Sequence, residues 1–195
     1  MLNPNEAIVR NPGSQQVREL RTFVIYAEDK PGVLSRITSL FRRRAYNIDS
    51  LTAGHTDKPG ISRLTVVMEG DDAGARLIEA NLYKLVNVLR VEDVTHGSAM
   101  KRDLALIKVK ANADDRAQVF QMLEVFRARI IDVGPKSLVL EITGTEDKID
   151  GLLEVLKPFG IIEMVRTGCV AMTRGPDAVT VHPHFVQALV SESTP

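Results

Sequence analysis

Four residues near the start of the chain combine types that could hold a small anion. Pro31, Gly32, Val33 and Leu34 stand where a strand-like segment passes through the charged corner Glu28-Asp29-Lys30 into a helical pattern. Proline suits a first helical turn, because its missing N–H has no helical partner to lose. Asp29 is placed to cap the amides that follow. The N–H groups of Gly32, Val33 and Leu34 would then point out of a helix start, where the helix dipole also favours negative charge. Gly32 has no side chain to keep a carboxylate away. Val33 and Leu34 are too apolar for a phosphate cradle, and no P-loop pattern is present. The ligand that fits is small, anionic at one end and partly apolar. Asn47, with Ile48 behind it, opens the next strand-like run and offers both donor and acceptor atoms. On residue types alone a Pro-Gly helix start is more often a plain turn than a site, and Asn47 reads equally as a strand-start residue, so both readings stay open at this point.

The elements that must position these residues follow from periodicity. Residues 22–27 are apolar on both faces and rich in strand formers, as in a central strand. Val33, Leu34, Ile37, Leu40 and Phe41 then fall on one helical stripe. Residues 46–56 and 61–70 read as two strands joined through the turn-forming sequence Asp57-Lys58-Pro59-Gly60. A second helical stripe over 73–85 and a strand over 88–94 complete the order βαββαβ. The order then begins again after a polar stretch, with strands at 104–111, 129–134 and 137–144, helices at 115–128 and around 149–156, and one closing strand over 160–172. The sequence Phe-Arg-x-Arg recurs at 41–44 and 126–129, each time between a helix and a strand, which is consistent with an internal duplication. The expected organisation is a flexible segment over 1–20, a first unit over 21–97, a linker over 98–103, a second unit over 104–174 and a mobile tail over 175–195 with a short helix near 185–190. Helices on one face of each four-stranded sheet leave the other face to be covered.

Composition excludes several classes. Lys and Arg number 25 and so do Asp and Glu, so no global field draws in nucleic acid or an anionic membrane. With 44% hydrophobic and 26% charged residues, the 195-residue chain matches ordinary globular usage. One cysteine, Cys169, rules out an internal disulfide and a cysteine-rich metal cluster within the chain, so a reducing cytoplasm is the expected home. Residues 1–21 contain two prolines and no continuous apolar run, so neither a secretory signal nor a membrane anchor is expected there. The aromatic pattern of an RNA-recognition sheet is missing, and a heavy-metal carrier of this topology would need a paired-cysteine loop.

The run EDKPGVLSRITSLFRRRAYNIDSLTAGHTDKPGISRLTVV with LYKLVNVLRVEDVT resembles the ACT domain of acetolactate synthase (acetohydroxyacid synthase) regulatory small subunits. The likeness continues through ALIKV, VFRARIIDV, LVLEITGTEDKID and VRTGCVAMTRG, and so spans about residues 20 to 175. The resemblance implies an α+β fold of two ferredoxin-like βαββαβ units in tandem, the first an ACT domain that pairs with its twin in a homodimer. It also implies an effector, valine, leucine or isoleucine, held at the dimer seam. Asp29, Gly32, Val33 and Leu34 of one chain would meet its carboxylate end, and Asn47 and Ile48 of the other its polar groups. Many relatives carry asparagine at the position of Asp29, whose carboxylate would attract the effector's ammonium and repel its carboxylate. The family has no active site of its own and binds a large catalytic subunit. That subunit carries thiamine diphosphate, magnesium and usually FAD, and joins two pyruvates to 2-acetolactate with loss of CO2. No cofactor is then expected in this chain. The competing class is a free-standing ACT-domain amino-acid sensor acting on another protein, which a pull-down lacking a large thiamine-dependent partner would favour.

Other reactive residues have plainer readings. Arg42, Arg43 and Arg44 complement a helix C-terminus and are read that way in preference to phosphate or nucleic-acid binding. His55 and His96 stand alone in sequence, His182 and His184 fall in the tail, and no metal-ligand set is expected. Cys169 reads as a small core residue of the closing strand. Glu141 fits a strand face and Asp147 an early helix turn, so no catalytic residues are assigned.

Overall fold

Alternating large apolar side chains make the first strand a central one. In β1 (Glu19–Glu28), Phe23, Ile25 and Ala27 point to one face and Val24 to the other, and all four are buried. The structure, a computed structural model, describes residues 18–175. The stretches 1–17 and 176–195, with the tail helix expected near 185–190 and His182 and His184, lie outside the described residues.

Helix α1 (Val33–Arg43) lays Val33, Ile37, Leu40 and Phe41 on that sheet. Strands β2 (Ile48–His55) and β3 (Ile61–Gly70), helix α2 (Asp72–Leu82) and strand β4 (Val88–Asp93) complete the unit, with antiparallel strand order β2-β3-β1-β4. Asp71 caps α2, its carboxylate accepting the Gly74 N–H at 2.6 Å. The core gathers Phe23, Ile25, Leu64, Val66, Met68, Ile78 and Leu82 between sheet and helices. Each such fully buried side chain is worth about 1.5–3 kcal/mol in transfer free energy.

The second unit repeats the plan with β5 (Ala99–Lys110), α3 (Ala113–Phe126), β6 (Arg129–Val133), β7 (Ser137–Gly144), α4 (Glu146–Leu156), a 3-10 turn (Lys157–Phe159), β8 (Ile161–Arg166) and β9 (Val170–Thr173). Its strand order is β6-β7-β5-β8, and β9 pairs separately with β5. The fold is the α+β tandem of ferredoxin-like units expected from sequence. Both helix ends that carry Phe-Arg-x-Arg turn through a positive-φ residue, Arg127 (φ 51°) inside the second copy and Ala45 (φ 56°) just after the first, so the two ends turn at different positions of the motif.

Three boundaries differ from expectation. Glu19 and Leu20 belong to β1, pairing with Gly70 and Glu69, and are not part of a flexible segment. The expected linker 98–103 is strand from Ala99 onward, because Ala99 to Arg102 find partners in Thr173 to Val170. The expected single closing strand is two, since the left-handed Gly168 (φ 85°) breaks the run. The two halves of the long β5 therefore take different partners, β9 then β8.

That break matters for the uncovered face of the first sheet. Val24 and Val94 pack there against Ala171, with Tyr26, Ala99 and Cys169 around them. The second unit thus covers part of the surface that the helices of the first leave open.

Candidate functional site

The Pro-Gly corner is a turn before it is a helix start. The Lys30 carbonyl accepts the Val33 N–H at 3.3 Å, Pro31 occupies the second position, and Gly32 sits at φ 82°, ψ −7°. That is a type II turn, whose third position demands a positive φ and hence glycine. Lys58-Pro59-Gly60-Ile61 repeats it, with Gly60 at φ 75° and the Ile61 N–H directed at the Lys58 carbonyl at 3.4 Å. The two turns are neighbours, joined by the Asp29 N–H donating to the Gly60 carbonyl at 2.7 Å.

This geometry corrects the expected capping. Pro31 precedes the helix, which begins at Val33 with Gly32 as its cap. Asp29 does not reach the helix amides. Its carboxylate accepts from the Ser62 hydroxyl at 3.0 Å and lies 3.3 Å from His55 Nδ1, so residues on the neighbouring hairpin have claimed it. The Val33 N–H is spent inside the turn. The N–H groups of Gly32, Leu34 and Ser35 have no acceptor among the described residues. A ribbon of open donors remains, shifted from the expected set. No Cβ at Gly32 would meet another atom within 4 Å, so the approach to it is open.

A small network holds the corner rigid. Asn87 donates to the Glu28 carboxylate and accepts from Arg36 Nη1 at 3.1 Å, while Lys30 pairs with Glu28 at 3.0 Å. The Asn87 donation, then Lys30, holds the Glu28 carboxyl below its usual range.

The other expected residues divide. Val33 is buried in the first core, so only its backbone faces the corner, whereas Leu34 is 45% exposed. Asn47 is exposed and Ile48 half-buried, at the far end of α1. Eleven residues of helix separate Gly32 from that end, about 16 Å at 1.5 Å per residue. One chain therefore does not bring Gly32 and Asn47 onto one small ligand.

The two units enclose a cleft of about 610 Å³ that sequence reasoning did not find. Leu20, Thr22, Ser50 and Leu51 line it from the first unit, and Lys101, Arg166 and Cys169 from the second. At its edge Ser50 Oγ accepts the Cys169 N–H at 2.8 Å, and Thr52 Oγ1 donates to the Cys169 carbonyl at 2.7 Å. Arg63 donates to the Ala171 carbonyl beside them. A Cβ at Gly168 would fall 2.5 Å from Ser50 Oγ, so this junction needs glycine. Cys169 is accordingly half-buried in the β8–β9 connection, not a core residue of a single strand, and burial pushes its thiol pKa up. No local pattern in the sequence marks contacts more than a hundred residues apart.

Glu19, Asp72 and His96 come within 4.8 Å of one another, which their sequence separation hid. Arg21 already supplies their cation. Its guanidinium pairs with Glu19 at 2.8 Å and with Asp72, and lies 3.3 Å from His96 Nε2. Glu141 pairs with Arg129 across the β6–β7 ladder.

A βαββαβ unit that ends its first strand in a glycine turn with open amides, joined to a second unit of the same plan, defines a regulatory ACT-domain protein. Residues 23–90 match the AHAS small subunit-like ACT domain, and residues 102–175 match the model described as the small subunit of acetolactate synthase. The chain is 42% identical over 158 residues to the acetolactate synthase small subunit of Mycolicibacterium smegmatis, covering 81% of this chain and 93% of that one. It is 43% identical over 154 residues to the probable acetolactate synthase small subunit of Archaeoglobus fulgidus, covering 79% and 96%. The crystal structure of the small subunit from Thermotoga maritima superposes with a TM-score of 0.75 at 37% identity, covering 80% of this chain and 98% of that one. The chain belongs to the family of acetolactate synthase small subunits, regulatory chains that are not catalytic on their own and have a large catalytic subunit as partner. Among the described residues, no helix is long and apolar enough to cross a membrane.

Proposed function

We infer that this chain confers feedback inhibition on its catalytic subunit by binding a branched-chain amino acid at a seam between two ACT domains. The effector's carboxylate rests on the open amides of Gly32 and Leu34. Its ammonium meets Asn47 of the partner subunit and the Asp29 carboxylate, and its side chain lies against Leu34 and Ile48. Valine is the first effector to test, with leucine and isoleucine as the alternatives. One observation carries this reading: the open donors and Asn47 lie at opposite ends of α1, a separation that two copies in antiparallel register would close on one ligand. Among the described residues the edge strand β2 has β3 on one side only in the first sheet, which suits it to such pairing.

The departure at Asp29 has a mitigation in this chain. Ser62 and His55 engage both of its oxygens, which draws the negative charge away from the amides where the effector's own carboxylate sits. Effector binding then acts by linkage: it favours the dimer arrangement in which the catalytic subunit is less active, with a coupling of about 1–3 kcal/mol. In this reading the chain carries no cofactor. Thiamine diphosphate, magnesium and FAD belong to the catalytic subunit, which makes 2-acetolactate from two pyruvates, and the assembly works in the cytoplasm. The working division is a first unit over 19–97 and a second over 99–174, which keeps β1 and β5 whole.

The test mixes this chain with the catalytic subunit of the same organism and measures acetolactate with and without valine. Activation by the chain and inhibition by valine are expected. Activation that no branched-chain amino acid reverses would refute the effector assignment.

A further inference from the structure

The basic run at the end of α1 does more than complement a helix dipole. Arg43, Arg44 and Lys84 converge with Asn81, over Leu40 and Leu85, on a pocket of about 370 Å³. Asn81 is only 7% exposed, and its amide nitrogen donates to the Leu77 carbonyl at 2.6 Å. That bond fixes the side-chain oxygen outward, where it accepts from both Arg44 Nη2 at 3.2 Å and Lys84 Nζ at 3.3 Å. Two cations share one neutral acceptor, so their nitrogen atoms lie within about 6.5 Å of each other. None of the three basic side chains has a carboxylate within ion-pairing distance among the described residues.

The helix ends do not account for this gathering of charge. Backbone N–H groups already occupy the last carbonyls of α1: Arg44 donates to Leu40 and Phe41, and Ala45 donates to Arg42. Lys84 and Leu85 close the carbonyls of Asn81 and Leu82 at the end of α2 in the same way. Arg43 spends its Nε on the Ser39 carbonyl at 3.3 Å, whereas the heads of Arg44 and Lys84 meet the Asn81 side chain and no helix-end carbonyl among the described residues. These heads present donors only, and the one side-chain acceptor among the lining residues, Asn81 Oδ1, is taken twice. Like charges held this close are stabilised by an anion between them. Three cationic heads and many N–H donors call for several acceptor oxygens and more than one negative charge, which a phosphate group supplies and a lone carboxylate does not.

We propose that the pocket formed by Arg43, Arg44, Asn81 and Lys84 binds the phosphate group of a small phosphate ester or pyrophosphate. Arg44 and Lys84 grip the oxygens, Arg43 closes one side, and Leu40 and Leu85 give the organic part of an ester an apolar floor. The pocket stands at the α1 end that leads into Asn47, at the opposite end of that helix from the open amides at Gly32 of the same chain.

Calorimetric titration of the full chain with inorganic pyrophosphate, at fixed low ionic strength, tests it. Saturable binding is expected for the wild type. Affinity should fall at least tenfold in the double variant Arg44→Gln, Lys84→Gln and survive in Lys84→Arg. Both substituted residues are exposed, and an unchanged melting temperature will show that the fold is kept. Heat that never saturates, or an affinity that the double variant leaves unaltered, would overturn the assignment.

Discussion

At the scale of single residues, Gly32 has two duties that one substitution can confuse. Its φ of 82° is costly for residues with a Cβ, yet the space around its Cα is open. Asparagine tolerates that conformation better than other polar residues, so Gly32→Asn should keep the turn, whereas Gly32→Asp adds a charge that repels the effector's carboxylate. Assays of the reconstituted enzyme should show activation with both variants and loss of valine inhibition with Gly32→Asp. Valine inhibition that persists in Gly32→Asp would place the ligand elsewhere. Glu28 carries a pH dependence of definite sign. Its folded pKa is held below the usual 4.5, chiefly by Asn87 and then by Lys30, so its contribution is complete above 4.5 and is lost as pH falls through the depressed value. The unfolding midpoint of Glu28→Gln should therefore lie below that of the wild type at neutral pH, with the gap closing in acid. A gap that widens in acid would contradict this. Asp29 shows where local reading stops: its cap was inferred from spacing alone, but the competing partners Ser62 and His55 arrive from a hairpin that only the fold brings near.

At the scale of elements, the two helix-end corners make a matched test. Ala45 and Arg127 both end a helix in the left-handed region, where residues with a Cβ are disfavoured by roughly 1–2 kcal/mol. Ala45→Gly and Arg127→Gly should each raise stability, by up to about 1 kcal/mol after the greater chain entropy of unfolded glycine is counted, as read by chemical denaturation. A loss of stability in both would mean that the corners are not strained. The order of helices and strands was legible because the apolar period changes cleanly from two to 3.6, as between residues 22–27 and the stripe Val33-Ile37-Leu40-Phe41. The start of β5 was not legible. Met100-Lys101-Arg102 is mostly polar, and it becomes strand because β9, some seventy residues later, offers it a ladder. The twin turns at Gly32 and Gly60 carry the same Lys-Pro-Gly in sequence, but their adjacency through Asp29 and Gly60 belongs to the sheet.

At the scale of the whole molecule, the junction of the two units rests on a few polar contacts over a small apolar patch. Ser50 and Thr52 on β2 hold both backbone groups of Cys169, and Val24 and Val94 meet Ala171. The pair Ser50→Ala, Thr52→Val leaves those partly buried groups without partners, at about 1 kcal/mol or more for each lost bond. A fall of several degrees in the melting temperature is expected, because a change of 1 kcal/mol moves a chain of this size by about 2–4 °C. An unchanged transition would show that the junction does not depend on these bonds. The strand that makes these contacts begins with Ile48, directly after Asn47, so the proposed effector seam and the junction share one element. Residue types name Gly32 and Asn47 separately and the family resemblance sets them on two chains; the length of α1, which holds them apart within one chain, agrees with that expectation.

The most direct test of that reading is complementation between two insensitive variants. In a site shared between chains, a dimer of one Gly32→Asp chain and one Asn47→Ala chain carries both lesions in one site and leaves the other intact. Each variant alone should fail to confer valine inhibition on the catalytic subunit, and the mixture, once chain exchange is shown, should regain it in part. A mixture of exchanged chains that stays as insensitive as its parents would contradict the account.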